Sequence, residues 1–353
     1  MKSLKFNSNW SVSITETPEL NCIEPDDVVI DVGVCGICGT DVGIISGDYS
    51  VAVEGVTLGH ETSGIVSKIG SDVTLFKPGD RVVVNPTYFC GVCRMCKIGN
   101  PNHCEAKAGT EAGVSYDGAF ATQYRSKQKF LLKLHDSVSL QAASLTEPLS
   151  CTITGVDKLG ITSTDLRACV VGAGPMGMLY LWVLYNKGVN AFLVENNPFR
   201  KTFARDILPP HCKMYTTIDD AIDAEYGADN TQLDLVVDTT GQLTEQVFNL
   251  LAPGGKLLNV ALKESRASID VQRIADKSLT IVGSIDSLNN SFERAYTMIE
   301  KGLVPAQALV SHELDFDDYV NAFKLVGCDL QNSRMAPVQV PCCKVLLRIA
   351  DFK

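Results

Sequence analysis

Near the start of the chain, Cys38, His60 and Glu61 offer a thiolate, an imidazole and a carboxylate. That set suits a zinc ion that keeps one coordination position open for water or substrate. An ion held in this way lowers the pKa of a bound hydroxyl toward about 7, the chemistry needed to oxidise an alcohol or, in reverse, to polarise a carbonyl. Each residue alone has a plainer reading, as core thiol, hydrogen-bonded imidazole or solvated carboxylate. Their coincidence with two further motifs gives them weight.

The first of those motifs is Cys90, Cys93, Cys96 and Cys104, in the spacing C-x2-C-x2-C-x7-C. Four thiolates so close together form a closed, structural zinc site that folds a lobe and performs no reaction. A set of disulfides is the competing reading. The odd total of 13 cysteines and the lack of a signal-like apolar stretch at the N-terminus argue against it.

The other motif is Gly172-x-Gly174-x-x-Gly177, enclosing Pro175 and Met176. It follows the apolar run Cys169 to Val171 and heads a helical stretch from Pro175 to Lys187, which Gly188 closes. This is the context a dinucleotide pyrophosphate needs: a tight turn, close backbone approach and a helix N-terminus aimed at negative charge. Glu195 stands 18 residues past Gly177 at the end of the next apolar run, near the offset of about 20 at which an acidic residue takes the ribose hydroxyls. A carboxylate there repels a 2′-phosphate, so NAD is expected over NADP. Arg200 and Lys201 pull the other way, and Arg200 is counted with the cofactor residues.

The elements that must position these groups differ along the chain. Short alternating stretches punctuated by glycine run to about residue 145: Val28 to Val34, Gly64 to Ile69, Arg81 to Val84 and Phe120 to Tyr124, a β-rich lobe. From Arg167 the runs become continuously apolar, at Cys169 to Val171, Ala191 to Val194, Leu233 to Val237, Lys256 to Val260 and Leu279 to Val282, as strands of a parallel sheet covered by helices must be. Amphipathic stretches from Phe292 to Glu300 and Asp317 to Leu325, and a last strand from Lys344 to Ile349, are assigned back to the first lobe. At 353 residues two domains are expected. The boundaries are set at 1–146 with 286–353, and 147–285. A net charge of −10 disfavours nucleic acid and anionic membranes as partners. No apolar run approaches the roughly 20 residues that span a bilayer, and a cytoplasmic location is expected.

In order along the chain, Gly36-Ile37-Cys38-Gly39-Thr40-Asp41, Gly59-His60-Glu61, Lys77-Pro78-Gly79-Asp80-Arg81-Val82, the four cysteines, Asp117-Gly118-Ala119-Phe120-Ala121, Glu147-Pro148-Leu149 and Gly172 to Gly177 resemble the zinc-dependent medium-chain dehydrogenase/reductase family, in its polyol (sorbitol) dehydrogenase-like branch. The resemblance covers essentially the whole length. It implies a GroES-like catalytic domain made of both chain ends, with a Rossmann domain of doubly wound parallel sheet inserted between them. It implies Cys38 and His60 as catalytic zinc ligands, with Glu61 a third ligand or a neighbour through water. Glu147 stands where other members supply a second thiolate. Asp41 is implied as the partner that orients His60 through its ring N–H, and Thr40 as the hydroxyl that receives the substrate proton. Two zinc ions per chain, NAD, an alcohol or ketone substrate and a homodimer or homotetramer complete the expectation.

Two departures stand out. Many relatives carry a histidine five residues after the zinc cysteine to pass the proton outward, whereas this chain has Gly43. The segment from Cys328 to Cys343 also exceeds the usual approach to the last strand. Three other readings remain open on the residues: a carbonyl reductase, a threonine dehydrogenase-like enzyme, and a dinucleotide-binding protein without turnover. Tyr49, Phe89 and Glu111 are candidate pocket walls.

Overall fold

The computed structural model describes every residue except 23, 108, 110, 228–231, 263–265 and 353. The chain forms two compact units. One comprises Met1–Ser150, Asp286–Pro337 and Lys344–Lys353; the other comprises Cys151–Ile285 with Val338–Cys343. The division drawn from sequence at 146/147 falls at the first turn of the helix Thr146–Lys158, and the structural one lies four residues further on. The tail does not return whole to the first unit, since 338–343 pack with the second. The Asn197 side-chain amide donating to the Val338 carbonyl at 2.9 Å is one tie that holds them there.

In the first unit, the strand Asp27–Gly36 has nine of its ten residues buried and is flanked on both sides. The sheet runs Val310–Asp315, Lys344–Arg348, Asp27–Gly36, Glu61–Ile69, Arg81–Val84, Leu131–Lys133, with Gln123–Lys127 also pairing Asp27–Gly36. An uninterrupted apolar run is what such a two-sided position demands. The register sets Gly36 opposite Glu61 on one side and Leu346 on the other. The chain then turns directly into the helix Gly39–Ser46, closed by Gly47 in the left-handed region at φ 86°.

The strand expected at Phe120 to Tyr124 begins three residues later, at Gln123–Lys127. Phe120 instead exchanges backbone hydrogen bonds with Leu4 and Leu58 outside any ladder, buried in the core. Its apolarity reports burial alone.

The second unit carries six strands in the order Met214–Tyr215, Ala191–Val194, Ala168–Val171, Leu233–Asp238, Leu251–Asn259, Thr280–Gly283, all pairings parallel. The sequence of strands reverses direction between Ala168–Val171 and Leu233–Asp238. In doubly wound sheets that switch point is where a ligand binds, outside the carboxyl ends of the strands. Cys169, Val171, Phe192, Val194, Val236, Phe248 and Leu257 belong to the core cluster that fixes these ends.

Candidate metal centre and dinucleotide cradle

Cys38 sits at the junction where the strand Asp27–Gly36 gives way to the helix Gly39–Ser46, as its N-cap. His60 directly precedes the neighbouring strand, which Glu61 opens. The strand register therefore brings the three together, and one ligand atom from each lies within 4.8 Å of the others. Cys38 Sγ is also 3.6 Å from Thr40 Oγ1.

The residues fit a cation on two grounds. His60 is buried, and its Nδ1 has no hydrogen-bond partner; a buried polar atom left unpaired is costly unless a ligand completes it. Burial alone would depress the imidazole pKa, but the Cys38 thiol next to it, with Glu111 and Asp41, drives it well above the ordinary value. The site gathers negative charge around a donor that a metal would take over.

Asp41 is fully buried, and its position departs from the expected one. One oxygen accepts the Cys38 N–H at 2.8 Å and the other the Gly59 N–H at 3.1 Å; no bond from the His60 ring reaches it. The carboxylate clamps the two backbone segments that carry Cys38 and His60. Burial raises its pKa, opposed by His60 and by those two amides.

Both oxygens of Glu61 lie on the Lys344 ammonium, at 2.7 and 2.5 Å, and that ammonium also donates to the Ile37 carbonyl at 3.0 Å. Glu61 is thus engaged by Lys344 in this arrangement. Glu147, buried in the first turn of Thr146–Lys158, lies outside the three-residue group. Lys344 was missed from sequence because it reads as the polar edge of an apolar strand. Its only signal is a lysine in a stretch that must be covered on both faces.

Among the suggested pocket walls, Tyr49 is half-buried, and burial followed by Glu111 and Asp286 raises its pKa. Its Cβ stands 3.2 Å from where a Gly43 side chain would begin. Glu111 is buried, and burial first, then the charge of Asp286, a residue that sequence reasoning did not single out, raise its pKa well above the usual carboxylate range. Phe89 packs edge-on against Phe130 at 5.4 Å and under the Lys129 ammonium, contacts of packing.

The four thiols of Cys90, Cys93, Cys96 and Cys104 converge within 4.8 Å of one another. Tetrahedral zinc with bonds of about 2.3 Å spaces its sulfurs by about 3.8 Å; the contacts here are 3.4, 3.9 and 4.0 Å. Backbone N–H groups of Val92, Cys93 and Cys96 donate to Cys90 and Cys93, and the Cys90 N–H donates to Cys104. Donation from Cys96 is the leading reason the Cys93 thiol falls to about 6. All 13 cysteines are free thiols.

In the second unit, Gly172 has φ 98°, and a Cβ on Gly177 would lie 1.8 Å from the Gly172 carbonyl, so neither position tolerates a side chain. Pro175 and Met176 open the helix Pro175–Asn186, whose N-cap, Gly174, leaves the first amides without a side-chain cap. That is an anion site. Glu195 accepts the Ala173 N–H at 2.8 Å and the Asn197 N–H at 2.7 Å, locking the loop. The Arg200 guanidinium is 3.2 Å from the Gly174 Cβ position, while Lys201 turns away to Thr216. Asp238, Thr239 and Thr240, unremarked in the sequence, complete the lip: Thr239 donates to the Val171 carbonyl, and its Oγ1 is 2.7 Å from the Gly172 Cβ position.

A parallel sheet with a glycine cradle at its switch point, together with a β-rich unit bearing a cysteine, histidine and carboxylate centre and a tetracysteine lobe, defines a zinc-binding dinucleotide oxidoreductase. The chain belongs to the zinc-dependent medium-chain dehydrogenase/reductase family, in its sorbitol dehydrogenase-like branch. The alcohol dehydrogenase GroES-like domain matches residues 24–136, and the glucose dehydrogenase C-terminus matches residues 140–330. A D-altritol 5-dehydrogenase of Agrobacterium fabrum is 30% identical over 92% of this chain and 95% of its own. A sorbitol dehydrogenase of Halalkalibacterium halodurans is 31% identical over 85% of this chain and 88% of its own. Among solved structures, one described as a short chain alcohol dehydrogenase of Escherichia coli CFT073, complexed with NADH, superimposes with TM-score 0.85 at 26% identity, covering 99% of both chains. No helix among the described residues is long and apolar enough to cross a membrane.

Proposed function

We propose that the chain transfers hydride between a secondary alcohol of a polyol or sugar derivative and NAD, with one catalytic and one structural zinc per chain. The convergence of ligand atoms of Cys38, His60 and Glu61, with a buried His60 ring whose Nδ1 has no hydrogen-bond partner, is the observation that carries this reading. Zinc supplies Lewis acidity to an alcohol oxygen, and NAD supplies the hydride acceptor.

This chain's own residues do the rest. Cys38 and His60 hold the metal, with Glu147 the carboxylate whose reach permits ligand exchange. Lys344 neutralises Glu61 beside them. Thr40 Oγ1, 3.6 Å from Cys38 Sγ, receives the hydroxyl proton. Gly43 offers no group to pass it on, so the outward path depends on ribose and water. Glu195 favours NAD because a 2′-phosphate would meet a buried carboxylate, and Arg200, beside Gly174, gives the pyrophosphate or ribose a cation. A cytoplasmic homodimer or homotetramer suits this reading.

The test is direct. Zinc-loaded protein is expected to reduce NAD⁺ with at least one member of a polyol panel, with NADP⁺ a poorer acceptor. Cys38→Ser is expected to drop turnover to background while its circular dichroism and melting stay close to those of the parent. Full activity in a folded Cys38→Ser variant would refute the reading.

A further inference from the structure

The long segment from Cys328 to Cys343 has no role in the account above, yet its last residues are tied to the dinucleotide cradle. Val338–Cys343 belongs to the second unit, together with the glycine loop, Glu195 and Arg200. It enters no strand or helix. Val338 is 7% exposed, and Cys342 and Cys343 are buried. Among the described residues, Val338 to Pro341 nevertheless make a single hydrogen bond, the one that the Asn197 side-chain amide donates to the Val338 carbonyl at 2.9 Å.

Asn197 is engaged on its other sides by the cradle. Its Oδ1 caps the helix Pro198–Arg205, accepting the N–H groups of Phe199 at 2.9 Å and Arg200 at 3.1 Å. Its own N–H goes to Glu195 Oε1 at 2.7 Å, and Glu195 Oε2 accepts the Ala173 N–H at 2.8 Å. One residue thus joins Val338 to the carboxylate expected at the ribose, to the helix that carries Arg200 beside Gly174, and through Glu195 to the glycine loop. A ligand that fixes Glu195 and Arg200 lowers the entropy lost when Asn197 holds Val338. By linkage, holding Val338 lowers the entropy lost when that ligand binds.

We propose that Val338–Cys343 is a strap that tightens when the ADP-ribose half of the dinucleotide binds, with Asn197 as the positioning residue that links the two. The inference rests on the dinucleotide reading above.

Hydrogen exchange read by mass spectrometry, on zinc-loaded protein with and without ADP-ribose, tests it. In the parent, ADP-ribose is expected to slow exchange across residues 338–343. Asn197→Ser keeps a side-chain cap and the backbone N–H to Glu195 but is too short to reach Val338. In that variant the slowing is expected to vanish, and the Kd for ADP-ribose, from calorimetry, to rise about fivefold, the weight of one hydrogen bond. KM for NAD⁺ is expected to rise with it, kcat at saturating NAD⁺ staying that of the parent.

Exchange indifferent to ADP-ribose in the parent, or either the slowing or the affinity retained in the folded variant, would overturn the proposal. So would a fall in kcat with KM unmoved, or a variant that only melts earlier, since either makes Asn197 a structural tie. Should Asn197→Ser not fold, Asn197→Asp, which also caps and also lacks the donor, takes its place under the same outcomes. A parent that binds neither ADP-ribose nor NADH defeats the dinucleotide reading and the inference together. A parent that binds both with the strap unmoved defeats the inference alone.

Discussion

Buried at 2% exposure, Lys344 places its ammonium between both oxygens of Glu61 and the Ile37 carbonyl. Breaking such a pair from one side strands the other charge without water, at about 3–5 kcal/mol. Lys344→Met is therefore expected to lower unfolding free energy in denaturant by that amount. Adding Glu61→Gln is expected to recover much of the loss, because the orphan charge goes with it. A single variant within about 0.5 kcal/mol of the parent would show that the pair is not closed to solvent. Asp286 illustrates the same limit on reading sequence. A lone aspartate in a loop signals nothing until the fold sets it against Glu111. The candidate metal residues could be picked out because ligand chemistry restricts residue type; Lys344 and Asp286 could not, because their meaning comes from a partner more than 150 positions away.

At the scale of elements, the junction of Asp27–Gly36 with Gly39–Ser46 is held by Asp41, bonded to the amides of Cys38 and of Gly59, next to His60. Asp41→Ala leaves those two buried donors unpaired, a cost of about 1–3 kcal/mol each, and frees Cys38 and His60 to drift apart. Zinc affinity at that centre is expected to fall about 10–100-fold, measured by competition with a chromophoric chelator. Unchanged affinity would mean that the clamp does not position the ligands. The parallel sheet carries a separate prediction. Arg167, just before Ala168–Val171, grips Asp234 of the neighbouring strand through its side chain at 2.8 and 3.0 Å and its amide at 2.9 Å. Those bonds lower the Asp234 pKa in the folded state. A carboxylate with a lowered folded pKa stabilises above its unfolded value, near 3.9, and loses that contribution as pH falls through the folded value. The stability gap between Arg167→Met and parent is thus expected to be present at pH 7 and to close below about pH 4; a gap that widens in acid would contradict it. Of the elements themselves, the continuous strands were legible because burial on both faces leaves an unbroken apolar run. The edges at Met214–Tyr215 and Val310–Asp315 carry no such mark, and Phe120 misled because a buried loop is as apolar as a strand.

For the whole molecule, both units have a buried sheet core, but the lobe around Cys90 to Cys104 has no buried side chain in its helix Arg94–Lys97, so its order is expected to depend on its thiols and the ion they would hold. Cys96→Ser is expected to lower the melting temperature and protease resistance of the first unit, with NADH binding by the second retained. Limited proteolysis with mass mapping would show cleavage near residues 90–104 first. Equal resistance in parent and variant would argue that the lobe folds without a metal.

Zinc content measured by plasma mass spectrometry on parent and Cys38→Ser, both purified with zinc present, tests the central claim most directly. Two ions per chain in the parent and one in the folded variant are predicted. A parent holding only one ion, or a variant that keeps two, would contradict a cation held by Cys38 and His60.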